Sequence, residues 1–262
     1  MDIGTAKPTT LEQEKVKHHV IDVVNPDEAF SVADYVNDAE AAIKEVLSRG
    51  KLPLVVGGTG FYIRALSEGL PSTPEADQDV QAALWKRLEH FGLDHLLKEL
   101  EAVSPADAER TERNPRRVVR ALEIVERTGK APSRFPKTRP AFDYDKVVLL
   151  PSMETLRPRI ESRTESMFKV GLVDEVITLF RRYPDLPTAK QAIGYKEVVD
   201  YLAGQTSLEQ TKAEITLATT QYAKRQRTWF RKEPGAREVT GDLKTLLAWL
   251  GKFRGGDRET GR

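Results

Sequence analysis

Four stretches of this chain carry residue types that can do chemistry. Residues 55–62, VVGGTGFY, run from an apolar segment through Gly-Gly-Thr-Gly into a helical pattern. Backbone N–H groups at such a turn can hold an anion or a polar substrate edge, since glycine permits close approach and a helix N-terminus is partially positive. A tight strand-to-helix turn with no ligand accounts for the spacing equally well. In RNPRRVVRALEIVERTGK (113–130), Val118, Leu122 and Val125 line one helical face and leave Arg116, Arg120 and Arg127 on another. Arginines 113, 116, 117 and 120 crowd a helix N-terminus against its dipole, which suits an anionic partner. A solvated face paired with Glu112, Glu123 and Glu126 is the alternative. RPRIESRTESM (157–167) sets Arg159 and Arg163 one helical turn apart, an arrangement fit for a diphosphate, with pairing to Glu161 and Glu165 as the competing explanation. TTQYAKRQRTWFRK (219–232) interleaves Lys224, Arg225, Arg227, Arg231 and Lys232 with Tyr222, Trp229 and Phe230. Lys224, Arg227 and Arg231 fall on one stripe that would follow a phosphate backbone, while Trp229 and Phe230 read as core.

Two negatives bound the chemistry. G-x-x-x-x-G-K-[ST] does not occur: Gly129-Lys130 has Ile124 where the first glycine would stand. The chain contains no cysteine and only four histidines, so thiolate chemistry and a zinc-thiolate site are excluded and a metal cluster is not expected. Lys plus Arg number 41 against 40 acidic residues, so any nucleic-acid contact must come from local patches. No apolar run reaches the roughly 18 residues of a membrane span, and no signal peptide is evident, so the cytoplasm is the expected location.

These segments need elements to position them. HHVIDVV (18–24), KLPLVVGG (51–58) and KVVLL (146–150) read as buried strands of a parallel sheet, and 237–242 as a possible last strand. Ser31 reads as the N-cap of a helix ended by Gly50, and Asn114-Pro115 as the N-cap and first residue of another. Helices are expected at 154–170, 172–183, 189–203, 207–233 and 242–253, with residues 255–262 as a frayed tail. Between the Pro-rich stretches 69–77 and 129–145 only helical patterns occur. The expected organisation is therefore an α/β core over 1–71 and 141–262 and an inserted all-helical domain over 72–140.

MDIGTAKPT, the run HHVIDVVNPDEAFSVADY, LPLVVGGTGFYIRAL, RNPRRVVRALE, RIESR, GLVDEV, AIGYKE and YAKRQRTWFR follow one another in an order that resembles the tRNA dimethylallyltransferases, also called tRNA isopentenyltransferases, over residues 1–232. The resemblance implies a P-loop-NTPase-like α/β core with a helical insertion, and transfer of a dimethylallyl group from dimethylallyl diphosphate to N6 of the adenosine 3′ of the anticodon. It implies that Thr59 contacts tRNA at the target base, that His18 lies at the substrate site, and that Arg163, with Arg159 beside it, holds the diphosphate. It places tRNA contacts at Arg116, Arg117 and Arg120, at Gln191, Gly194, Tyr195 and Lys196, and at Thr219, Gln221, Lys224, Arg225 and Gln226. Gln81 stands where many relatives carry an Arg near RNA. Mg2+ accompanies the diphosphate, with no metal ligand in this chain; the expected partner is the anticodon stem-loop of tRNA, and the expected state a monomer.

Relatives also carry a G-P-T-x-x-G-K-T loop and an Asp-Ser segment, whose Asp is the general base, ahead of the part that matches MDIGTAKP. The expectation is that the sequence is truncated at its N-terminus, with Met1 an internal methionine, and that the polypeptide as written is inactive. A tRNA-binding module without transferase chemistry is the alternative, and a small-molecule kinase-like enzyme is disfavoured by the absent Walker lysine.

Overall fold

The computed structural model describes residues 1–183, 186, 189–239 and 243–251. Its helices are α1 (Thr10–Lys15), α2 (Val32–Ser48), α3 (Gly60–Glu68), α4 (Gln78–Phe91), α5 (Leu93–Val103), α6 (Pro105–Arg110), α7 (Pro115–Thr128), α8 (Met153–Lys169), α9 (Leu172–Arg182), α10 (Tyr195–Leu202), α11 (Leu208–Phe230) and α12 (Leu243–Gly251). Two strands, β1 (Lys146–Leu149) and β2 (Ala236–Val239), pair in parallel from Lys146 with Ala236 to Leu149 with Val239. The chain separates into two compact units, Met1–Ile63 with Asp143–Arg262, and Arg64–Phe142.

Local signals set most helix starts. The Ser31 hydroxyl accepts from Asp34 N, and the Asp34 carboxylate accepts from Ser31 N at 2.8 Å, a closed capping box. Asn114 caps α7 with Pro115 in its first turn, and Gly129 ends it in the left-handed region at φ 68°. In the 189–203 stretch a 3-10 turn at Ala189–Gln191 and Gly194 at φ 96° postpone the helix to Tyr195. A short helix the sequence reading omits, α1, is closed by reciprocal bonds between Thr9 and Glu12.

The strands expected at 18–24 and 51–58 do not form. Val20 and Asp22 take positive φ (58° and 56°), which breaks an extended run. Residues 51–58 have no ladder partner among the described residues, and they leave Leu54 58% and Val56 91% exposed. An apolar sequence becomes a strand only when a neighbouring backbone accepts and donates its ladder bonds; here β1 finds one in β2. Residues 240–242 of the expected last strand and the tail at 255–262 lie outside the described residues.

The Arg64–Phe142 unit is helical apart from its connectors. Leu84 of α4, Leu96, Leu97 and Leu100 of α5, and Val118, Val119 and Leu122 of α7 form its core. The chain enters and leaves it side by side: Thr138 N donates to Leu70 O at 2.7 Å and Ser72 N to Pro136 O at 2.9 Å. The other unit centres on Leu172 and Val176 of α9, Tyr195 and Val198 of α10, and Ile215 of α11. Among the described residues no helix is long and apolar enough to cross a membrane.

Candidate functional site

Thr59 sits at the mouth of α3. Its carbonyl accepts from Tyr62 N (3.0 Å) and Ile63 N (3.1 Å), so it caps the helix through its backbone and leaves an exposed side chain. The glycines around it are explained by α11. The Gln226 side-chain amide donates to Gly58 O at 2.9 Å. A Cβ on Gly58 would lie 2.1 Å from that amide nitrogen, and one on Gly60 would lie 2.1 Å from Trp229 Nε1. Neither glycine takes a positive φ, so the Gly-Gly-Thr-Gly spacing serves close packing and not turn geometry.

The basic residues of α11 divide into an outer and an inner set. Gln221, Lys224 and Arg225 are exposed and Thr219 is half-buried. The Arg225 guanidinium lies 5.8 Å from the Tyr222 ring centre. Arg227 departs from the expected stripe, since its guanidinium donates to Pro151 O and ties α11 to the turn between β1 and α8. Gln226, expected at the RNA, likewise points its amide inward.

Helix α8 packs along α11, with Lys212 of α11 paired to Glu165 of α8 at 2.9 Å. That pair removes Glu165 as a partner for the α8 arginines. Arg159 and Arg163 are exposed, one turn apart, and make no hydrogen bond or ion pair among the described residues. Two guanidinium groups left free on one face keep their full donor sets for an anion. His18 is exposed, with Nδ1 2.7 Å from Val16 O.

A carboxylate that the sequence reading passed over organises the start of the chain. Glu175 of α9 accepts from the backbone N–H groups of Asp2 (2.6 Å), Ile3 (2.9 Å) and Gly4 (3.1 Å), and from the Tyr195 hydroxyl (2.5 Å). Burial pushes Glu175 up, but the Tyr195 hydroxyl and the three N–H groups outweigh it and hold the carboxyl below its ordinary value. Burial, and then the neighbouring carboxylate, push the Tyr195 phenol up. Tyr195 is 1% exposed. Its side chain therefore belongs to the core, where the expectation had placed a tRNA contact. Gly194 is buried, while Gln191 and Lys196 are exposed. The only signal for Glu175 in the sequence is the GLVDEV segment, which does not reveal that its three backbone partners lie more than 170 residues away.

In the helical unit the arginine cluster is largely committed to its own carboxylates. Glu123 is fully buried and accepts from Asp77 N (2.7 Å) and the Gln81 amide (2.8 Å), with Arg120 at 2.8 Å and Arg127 at 3.4 Å. Burial pushes Glu123 up, and Arg120, Gln81 and Asp77 N together bring it below its ordinary value. Arg120 also donates to Pro74 O, and Arg117 pairs with Glu112 at 2.5 Å. Gln81 and Arg120 thus support the α4–α7 packing, and Arg116 is exposed. Glu126, an expected partner, is taken by Arg87. Among the described residues no three His, Asp or Glu side chains converge as a metal site.

The sequence model of the IPP transferase family matches residues 1–233. The chain belongs to the IPP transferase family. It is 57% identical over 235 residues to the tRNA dimethylallyltransferase of Thermus thermophilus, covering 90% of this chain and 78% of that one. To the tRNA dimethylallyltransferase of Deinococcus radiodurans it is 46% identical over 246 residues, covering 92% and 80%. Among solved structures it superposes on the full-length tRNA isopentenylpyrophosphate transferase of Bacillus halodurans with a TM-score of 0.67 at 35% identity, covering 97% of this chain and 82% of that one. A eukaryotic dimethylallyltransferase acting on tRNA gives a TM-score of 0.73 at 27% identity, covering 96% and 67%. The helix-rich α/β architecture with its small parallel sheet and helical insertion is thus that of the IPP transferases. Thr59, Arg159, Arg163 and the outer face of α11 are exposed.

Proposed function

We propose that this protein is a tRNA dimethylallyltransferase that modifies N6 of the adenosine 3′ of the anticodon. The observation that carries the reading is the seating of the Thr59 loop on α11, whose outer face presents Gln221, Lys224 and Arg225. In the reaction the N6 lone pair attacks the allylic carbon of dimethylallyl diphosphate, the carbon–oxygen bond breaks, diphosphate leaves with the electron pair, and N6 gives up one proton. Arg163 and Arg159 bind and neutralise the diphosphate as its charge grows. Thr59 meets the target base, whose approach requires it to leave the anticodon stack. His18 is assigned to the substrate site on the family resemblance.

Mg2+ would accompany the diphosphate as part of the donor and supply charge neutralisation there. The described residues offer no carboxylate or imidazole cluster to hold it, and no step is assigned to it. The anticodon stem-loop is recognised through α11, Gln191 and Lys196, with Arg116 and Arg117 contributing from the helical unit. The protein acts as a monomer in the cytoplasm.

Residues 1–262 contain no G-x-x-x-x-G-K-[ST] phosphate cradle. For a polypeptide limited to them we propose tRNA binding without efficient transfer. The test of the function uses protein expressed from its gene, an anticodon stem-loop and dimethylallyl diphosphate labelled in the prenyl group. Label on adenine N6 with release of diphosphate is the expected result. Salt-dependent RNA binding that is indifferent to the prenyl donor, with no label transferred, would favour the tRNA-binding module.

A further inference from the structure

Gln226 and Trp229 lie on the helix proposed to face tRNA, yet both are turned toward the Gly-Gly-Thr-Gly loop. The Gln226 amide reaches Gly58 O at 2.9 Å, and the Trp229 indole fills the space a Cβ on Gly60 would need. Thr59 is held between these two contacts. Three residues apart on α11, Gln226 and Trp229 share a face one turn long, and Lys224 and Arg225 lie exposed just before them.

We propose that Gln226 and Trp229 are positioning residues: through them the tRNA-binding helix sets the conformation of residues 57–60 and so the placement of Thr59 against the target base. This rests on the reading that Thr59 meets that base, and it assigns Gln226 a role different from direct RNA contact. The donor is essential: a carbonyl oxygen accepts from an amide but is repelled by a carboxylate. Gln226→Glu therefore keeps the side chain's size and loses its function. Gly58→Ala offers an independent route to the same defect, because its methyl displaces the Gln226 amide without altering α11 itself. A methyl at Gly60 meets a rigid indole and is expected to distort the loop more.

The experiment compares wild type, Gln226→Glu, Gly58→Ala and the double variant in three measurements. Hydrogen exchange reports the amides of residues 57–60 in the RNA-free chain. Titration with an anticodon stem-loop reports affinity. Mass spectrometry of tRNA from cells carrying each variant of the gene, at matched protein levels, reports modification. Each single variant should speed exchange at 57–60, lower the initial rate of modification about tenfold, and leave stem-loop affinity within about threefold. The double variant should be no worse than either single one, since both break the same contact. Unchanged exchange at 57–60 in Gln226→Glu would overturn the proposal, whether or not any transfer is detected. So would a tenfold or greater loss of stem-loop affinity with modification falling only in proportion, which would make Gln226 an RNA contact. Absence of modified adenosine in the wild-type cells would instead contradict the function proposed above and leave the exchange result to decide this point.

Discussion

Glu175 and Arg163 represent opposite ways of using charge. Glu175 spends its lone pairs on three backbone N–H groups and a phenol, so Glu175→Gln puts an amide NH2 against donors and should destabilise the chain by about 1–3 kcal/mol. Its carboxyl is held below its ordinary value in the folded chain. The contribution is therefore complete above the unfolded carboxyl's pKa and is lost as pH falls through the lowered folded value. Thermal melts of wild type and Glu175→Gln should differ most near neutrality and converge in acid; a gap that widens in acid would contradict this. Arg163 makes no internal pair among the described residues, so Arg163→Ala should leave stability within about 0.5 kcal/mol while weakening diphosphate binding. None of this contrast is legible in the sequence, where Arg159 and Arg163 have Glu161 and Glu165 close by in the same helix. It is the Lys212–Glu165 pair, formed between two helices, that takes one of those neighbours away.

Helices α7 and α11 both appear as basic helices in sequence, and the structure separates them. In α7 the buried Glu123 draws in Arg120 and Arg127, so Arg120→Ala should cost about 1–3 kcal/mol and lower the melting temperature of the helical unit. In α11 the Lys224 ammonium makes no hydrogen bond or ion pair among the described residues, so Lys224→Ala should leave melting unchanged and reduce the slope of log affinity against log salt for an anticodon stem-loop by about 0.7–0.9. Equal slopes for wild type and Lys224→Ala would contradict its placement at the RNA. Helix boundaries were readable because caps are local: Ser31 with Asp34, and Asn114 with Pro115 and Gly129, each act within a few residues or one helix length. The runs at 18–24 and 51–58 were not, since strand formation depends on a partner distant in sequence, and β1 obtains one only from residues 236–239.

At the scale of the molecule, near-zero net charge makes tRNA recognition a matter of where unpaired cations remain after folding. The family could be read from the ordered motifs over residues 1–232, and the helical insertion from the prolines that flank it. The roles of individual residues were less accessible, because Tyr195 and Gln226 differ from Lys196 and Arg225 only in the direction their side chains face once packed. The central claim, dimethylallyl transfer to tRNA, is tested most directly by nucleoside mass spectrometry of total tRNA from the source organism with the gene intact, disrupted and restored. The account predicts N6-dimethylallyladenosine or its further-modified forms in the first and third samples and none in the second. An undiminished level after disruption would contradict it.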